Sequence, residues 1–97
     1  MPAASKQKLR QWFMEGAKEG YEFMIVCCDT FSLDDYPAYT RGGLTAFKET
    51  YKRLMDDRIM EVYDLRMDIE MQMNETRAFH YPKGFSRVAL FREIHGT

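Results

Sequence analysis

Three aspartates, Asp29, Asp34 and Asp35, fall within a seven-residue stretch, and His80 stands apart near a proline. Carboxylate oxygens and an imidazole nitrogen are ligands for divalent cations, and a metal held by them could activate water for hydrolysis. The spacing matches no calcium loop, however, and aspartates in a connection after a strand commonly accept hydrogen bonds from turn N–H groups. A lone histidine just before Tyr81-Pro82 reads as a helix-end or surface group rather than a base. The sequence therefore assigns no catalytic residue, no metal ligand and no cofactor. The enzymatic alternative is a small metal-dependent hydrolase built from Asp29, Asp34, Asp35 and His80, on the condition that the fold brings the loop and the histidine together.

Other chemistry is weaker. Cys27 and Cys28 are adjacent, so in a strand they point to opposite faces and cannot form an unstrained disulfide. Both end an apolar run, and Asp29 beside Cys28 would oppose thiolate formation, which argues against a cysteine nucleophile. Arg41-Gly42-Gly43 precedes a helical segment and could offer amides to a phosphate, but it lacks the lysine of a P-loop and the dinucleotide fingerprint. A turn is the simpler reading of these glycines.

Aromatic residues surround two of the acids. Tyr36 and Tyr39, with Phe31 nearby, flank Asp34 and Asp35, and tyrosines beside carboxylates make compact recognition patches. Asp34, Asp35, Tyr36 and Tyr39 are accordingly the expected partner surface, weighed against the plainer view that the rings anchor the loop to the core. Met67, Met71 and Met73 could form an adaptable apolar face or fill the core. An acidic array of Asp29, Asp34, Asp35, Asp64, Asp68 and Glu70 would imitate a phosphate backbone only if the fold gathered it on one side.

The elements that must position these groups follow from periodicity. Leu9, Trp12, Phe13 and Ala17 share a helical face behind Ser5, and Gly20 ends that helix. Residues 21–28 are apolar on both alternating faces, the mark of an interior strand. Residues 29–37 form a turn-rich connection in which Ser32 and Asp35 resemble a capping box for one helical turn. Residues 36–40 return as a strand that Pro37 confines to an edge. Leu44, Phe47, Tyr51, Leu54 and Met55 mark a second helix, and residues 58–66 a half-exposed strand. The methionine segment carries both periods; a helix from about Asp68 to Phe79, capped by Asp68 and stopped by Pro82, is preferred over one very long strand. Residues 85–92 read equally as an added edge strand or a partly ordered tail, as do the ends of the chain, 1–4 and about 83–97, more generally. The fold class expected is α+β: a single-domain two-layer sandwich over residues 1–97, with a small, mainly antiparallel sheet and helices packed on one face.

A chain of 97 residues, 45% hydrophobic, builds one core, and a formal net charge of -1 gives no global field toward nucleic acid or anionic membrane. No apolar run reaches the roughly 20 residues of a membrane span, and no signal-peptide run opens the sequence. Free thiols and the absence of a leader point to the cytoplasm.

The stretches 23–31, 34–39, 60–65 and 77–80 together resemble a family of small uncharacterised bacterial and phage proteins. The resemblance spans most of the chain up to Tyr81 and implies no activity. It raises the expectation of a small protein that binds a host complex, such as a defence nuclease, as inhibitor or adaptor. The functional expectation is thus a non-enzymatic protein-binding module with a protein partner, no direct nucleic-acid or membrane contact, and homo-oligomer formation through an edge strand as a further alternative.

Overall fold

Why each segment takes its form is visible at its ends in the computed structural model, which describes residues 5–55, 57–74, 80–82 and 85–95. Helix α1, Lys6–Lys18, begins where the Ser5 hydroxyl accepts from the Lys8 N–H at 3.1 Å and stops before Gly20, whose φ of 81° lies in the left-handed region. Strand β1, Phe23–Cys28, follows, then β2, Asp35–Thr40. Helix α2 spans Gly43–Leu54, and β3 spans Arg58–Asp64. Helix α3, Ile69–Asn74, is capped by Asp68, whose Oδ1 accepts from the N–H groups of Glu70 and Met71. The expected continuation of α3 toward Phe79 lies outside the described residues.

The sheet is antiparallel, in the order β2-β1-β3, so the apolar segment does lie at its centre and the Pro37 strand at an edge. The α+β class and the antiparallel sheet agree with the sequence reading. The placement of helices on one face does not. All six residues of β1 are buried, and their alternation divides them between two cores. Phe23, Ile25 and Cys27 pack with Phe47 and Tyr51 of α2, with Ile59 and Val62, and with Leu90 of the last helix. Met24 and Val26 pack on the opposite face with Leu9 and Phe13 of α1, with Tyr63 and Leu65, and with Met73 of α3. Helices therefore cover both faces of a three-stranded sheet. The physical reason is the one that marked 21–28 as interior: a strand apolar on both sides needs cover on both.

The same cover corrects β3, expected to be half exposed. Glu61, Val62, Tyr63 and Asp64 are all buried. A bulge between Val26 and Cys27 of the pairing, where Val26 faces Glu61 and Cys27 faces Ile59, leaves Met60 as an extra residue. It lets Ile59 and Val62, three apart in sequence, enter the same core.

Residues 85–92 form neither an edge strand nor a tail. They enter helix α4, Arg87–His95, started by the Ser86 hydroxyl, which accepts from the Ala89 N–H at 2.9 Å. Leu90 is buried and Ile94 packs beside it, the four-residue spacing of a helix face, and Glu93 pairs with Lys48 of α2 at 2.8 Å. Homo-oligomer formation through an edge strand in this segment therefore has no strand to act through.

Gly16 shows how tightly α1 meets the sheet. A Cβ added there would lie 2.4 Å from Cε1 and 2.6 Å from Cδ1 of Tyr39, and 3.0 Å from a Leu65 methyl. An alanine in mid-helix ordinarily gains about 1 kcal/mol over glycine, whereas overpacking costs about 1–3 kcal/mol, and here the clash is with the body of a ring. Gly16→Ala should therefore destabilise the protein by up to about 2 kcal/mol in urea unfolding, against the direction of helix propensity.

Candidate functional site

Antiparallel pairing returns the chain sharply after Cys28, and the turn that results is held by its own side chains. Asp29 donates its N–H to the Asp34 carbonyl at 3.0 Å and accepts from the Leu33 N–H at 2.8 Å. Its carboxylate accepts from the N–H groups of Phe31 at 2.7 Å and Ser32 at 3.2 Å, and the Ser32 hydroxyl accepts from Asp34. The turn is thus capped by Asp29, and the expected Ser32–Asp35 box does not form because Asp35 already belongs to β2. Leu33 sits at φ 64°, a left-handed conformation that costs a branched side chain about 1–2 kcal/mol. Phe31, at the tip, is 98% exposed, and Leu33 is 52% exposed.

The four residues expected to form one partner surface are separated by the pleat. Asp34 is exposed in the turn and Asp35 opens β2. Tyr36 turns to the α2 face, where its hydroxyl donates a very short hydrogen bond to Asp57; that bond, with burial, holds the phenol above its ordinary range. Tyr39 turns to the α1 face. It stacks on Tyr21 with centroids 5.2 Å apart and donates to the Trp12 carbonyl at 2.7 Å, and burial raises its phenol too. Both tyrosines are anchors, because residues an odd number apart in a strand face opposite ways. What remains at the surface is Phe31 and Leu33 beside Asp34 and Asp35, a group whose outermost member sequence reading noticed only as a neighbour.

The metal alternative required His80 beside the aspartates. His80 instead lies against the outer edge of β3, its carbonyl accepting from the Val62 N–H at 2.8 Å and its ring stacked on Tyr63 at 4.9 Å. Tyr63 pairs with Met24, five residues before Asp29, so roughly 16 Å of strand separates the histidine from the acidic turn. Among the described residues no group of three or more His, Cys, Asp or Glu converges on a metal position. The acidic array is equally dispersed: Asp64 pairs with Arg66 at 3.0 Å, Asp68 caps α3, and Glu70 makes a two-pronged pair with Arg10 at 2.6 and 2.9 Å that lowers the carboxyl's pKa. Met73 is buried while Met67 and Met71 are exposed, so the methionines form no single face.

The glycine turn before α2 is already filled. Glu22 Oε1 accepts from the Gly42 N–H at 3.2 Å and from the Gly43 N–H at 2.8 Å, so a carboxylate from the residue just before β1 takes the position a phosphate would need. Both cysteines are free and buried. Burial pushes the Cys27 thiol up to about 12, and burial with the facing Asp35 carboxylate raises Cys28, so neither is an activated nucleophile.

The class this arrangement defines is a small α/β/α-layered α+β domain with an apolar-tipped hairpin whose turn is capped by Asp29. The chain matches no family model, no curated protein sequence and no solved structure.

Two outcomes follow. Glu22→Ala should cost about 0.5–2 kcal/mol in thermal or urea unfolding by uncapping α2, and Glu22→Gln, whose amide oxygen can still accept, should cost less. A thiol whose folded pKa of about 12 exceeds its unfolded value, near 8.5, adds stability that is complete below that unfolded value and is lost as pH rises toward the folded one. Urea midpoints should therefore fall between about pH 8.5 and 12, and Cys27→Ser or Cys27→Ala should flatten that limb.

Proposed function

We propose that the chain is a non-enzymatic protein-binding module that presents the tip of the β1–β2 hairpin to another protein. The observation that supports it is Phe31, held almost wholly in water on a turn whose backbone is fixed by the Asp29 carboxylate and by strand pairing. Leaving such a ring exposed forgoes about 1.5–3 kcal/mol of burial, and a pre-ordered loop recovers it on binding with little loss of conformational freedom. Leu33 would enlarge the apolar contact, and Asp34 and Asp35 would set its rim. The fitting partner surface is an apolar socket edged by Lys or Arg, since aromatic anchors within a polar rim carry most binding energy.

No helix among the described residues is long and apolar enough to cross a membrane, and the two thiols are free, which suits a reducing compartment. In that setting the module would serve as an inhibitor or adaptor of a host protein complex, the role suggested by its resemblance to small bacterial and phage proteins. The hydrolase alternative has no support in the positions of Asp29, Asp34, Asp35 and His80.

Affinity capture from host lysate, with nuclease treatment and mass spectrometry, tests the proposal when the wild-type chain is compared with Phe31→Ser and with Asp34→Asn/Asp35→Asn. A stoichiometric protein partner should survive nuclease treatment with the wild-type chain and be lost with Phe31→Ser, whose stability should stay within about 0.5 kcal/mol of wild type. The acid variant should bind more weakly and with less salt dependence. Equal retention of the partner by Phe31→Ser would exclude the tip as the contact.

A further inference from the structure

The hairpin tip has a counterpart elsewhere on the same chain. Between α2 and α4 a socket of about 170 Å³ opens to solvent, walled by Leu44, Phe85, Ala89 and Leu90, with Lys48 and Glu93 at its rim. Its floor is fixed by the core. Leu90 is buried, and the Phe85 ring meets Phe47 edge-on with centroids 5.3 Å apart and lies 5.4 Å from Phe23. Ala89, exposed on α4, is too small to close the mouth, and Leu44 beside it is 53% exposed.

Size and lining define the guest. An apolar cavity of roughly 150 Å³ is enough for a benzene molecule, whereas sites for drug-sized molecules begin at about 300 Å³, so this socket takes a single aromatic ring. Phe85 gives it an aromatic wall against which an incoming ring can pack edge-to-face or offset. At the rim Lys48 pairs with Glu93 at 2.8 Å, and an ammonium has three donors. An apolar socket edged by a lysine is the surface that Phe31 calls for, with Asp34 beside it in the exposed turn. The chain cannot make this contact with itself. Helix α2 starts beyond Thr40, which pairs with Phe23 at one end of β1, and the tip follows Cys28 at the other, about 17 Å along the strand.

We propose, resting on the reading of the tip as the contact site, that the partner of Phe31 is the α2–α4 socket of a second copy of this chain. Docking the ring there removes Phe31 and part of Leu44 from water together. Tip and socket are different surfaces, so each contact is head-to-tail, and a two-fold pair in which each tip enters the other's socket satisfies both at once. The assembly is made by side chains and needs no strand pairing, which Pro37 on the β2 edge opposes.

Sedimentation equilibrium of the full chain up to about 1 mM tests this, a range suited to a small contact built on one ring. The apparent mass of the wild-type chain should rise with concentration. Phe31→Ser removes the tip, and Ala89→Glu sets a carboxylate in the socket mouth at an exposed position where glutamate suits a helix. Each should weaken association at least about tenfold and keep the wild-type circular dichroism. The decisive measurement mixes the two variants, since Phe31→Ser keeps a socket and Ala89→Glu keeps a tip. Amide NMR of labelled Phe31→Ser with unlabelled Ala89→Glu should show saturable shifts around residues 44, 48, 85, 89 and 90, and the reverse labelling should show them in residues 29–35. The proposal is overturned if the wild-type chain stays monomeric to about 1 mM, if either variant associates as the wild type does, or if the mixture gives no shifts. A wild-type monomer whose captured host partner is lost with Phe31→Ser would overturn self-association alone and leave the tip as a binding site.

Discussion

Burial of β1 on both faces is the constraint from which the rest of the molecule follows. Phe23, Ile25 and Cys27 need cover on one side and Met24 and Val26 on the other, and each buried side chain of this size contributes about 1.5–3 kcal/mol. A strand with that requirement must be central, so it takes a neighbour on each edge, and a chain this short can supply only two short strands and one pair of helices per face. Antiparallel pairing lets the connections be tight, and the tight turn after Cys28 is what pushes Phe31 into water. The exposed tip is therefore a geometric consequence of the central strand as much as a local feature of its own loop.

Polar groups beside the two cores show how the small sheet closes its edges. Among the described residues the outer edge of β3 meets no fourth strand, yet several of its donors and acceptors are met individually. Val62 donates to His80, the Gln72 amide both accepts from Asp64 N–H and donates to Asp64 O at 2.9 Å, and Arg87 donates to the carbonyl of Ile59. Gln72 thus acts as a side-chain substitute for a strand partner, which explains why a polar amide is buried there. At the other edge the register aligns Val26 with Pro37, and with Asp29 bonded to Asp34 the alternation turns the nitrogens of Asp35, Pro37 and Tyr39 outward. Pro37 removes the middle donor of that row, a familiar way to blunt an edge against pairing. The exception to good satisfaction among the described residues is the buried Thr40 hydroxyl, which has no hydrogen-bond partner.

Much of this fold was legible in the residues, and the failures share a physical origin. Ser5 and Gly20 bounded α1, Pro37 put its strand on an edge, and the double apolar face of 21–28 placed it at the centre, because each rests on local chemistry. The same double face implied two helical layers, yet a single layer was expected, since counting elements says nothing of the side to which each connection crosses. The bulge at Met60 was invisible because it changes which side chains share a face without changing composition. The segment that became α4 was misread because its apolar residues, Val88, Leu90 and Phe91, fit period 2 as well as period 3.6, and only Ser86 as a cap and the Leu90–Ile94 spacing decide between them. At the site, Asp34 was correctly placed in an exposed connection, whereas Asp35 belongs to β2, and the pleat sends Tyr36 and Tyr39 to opposite cores, a separation that alternation along the expected strand 36–40 already implied.

The hairpin tip lies at the end of the sheet where Cys28 pairs with Asp35 on one side and with Arg58 on the other. Acid and base thus stand close together there, and with a net charge of -1 over the whole chain such a surface acts at contact distance rather than as a long-range field. A partner at the tip would then be selected less by steering than by shape and by the few groups it touched. Phe31 is exposed and bears little of the fold, so it can be replaced without unfolding the protein around it.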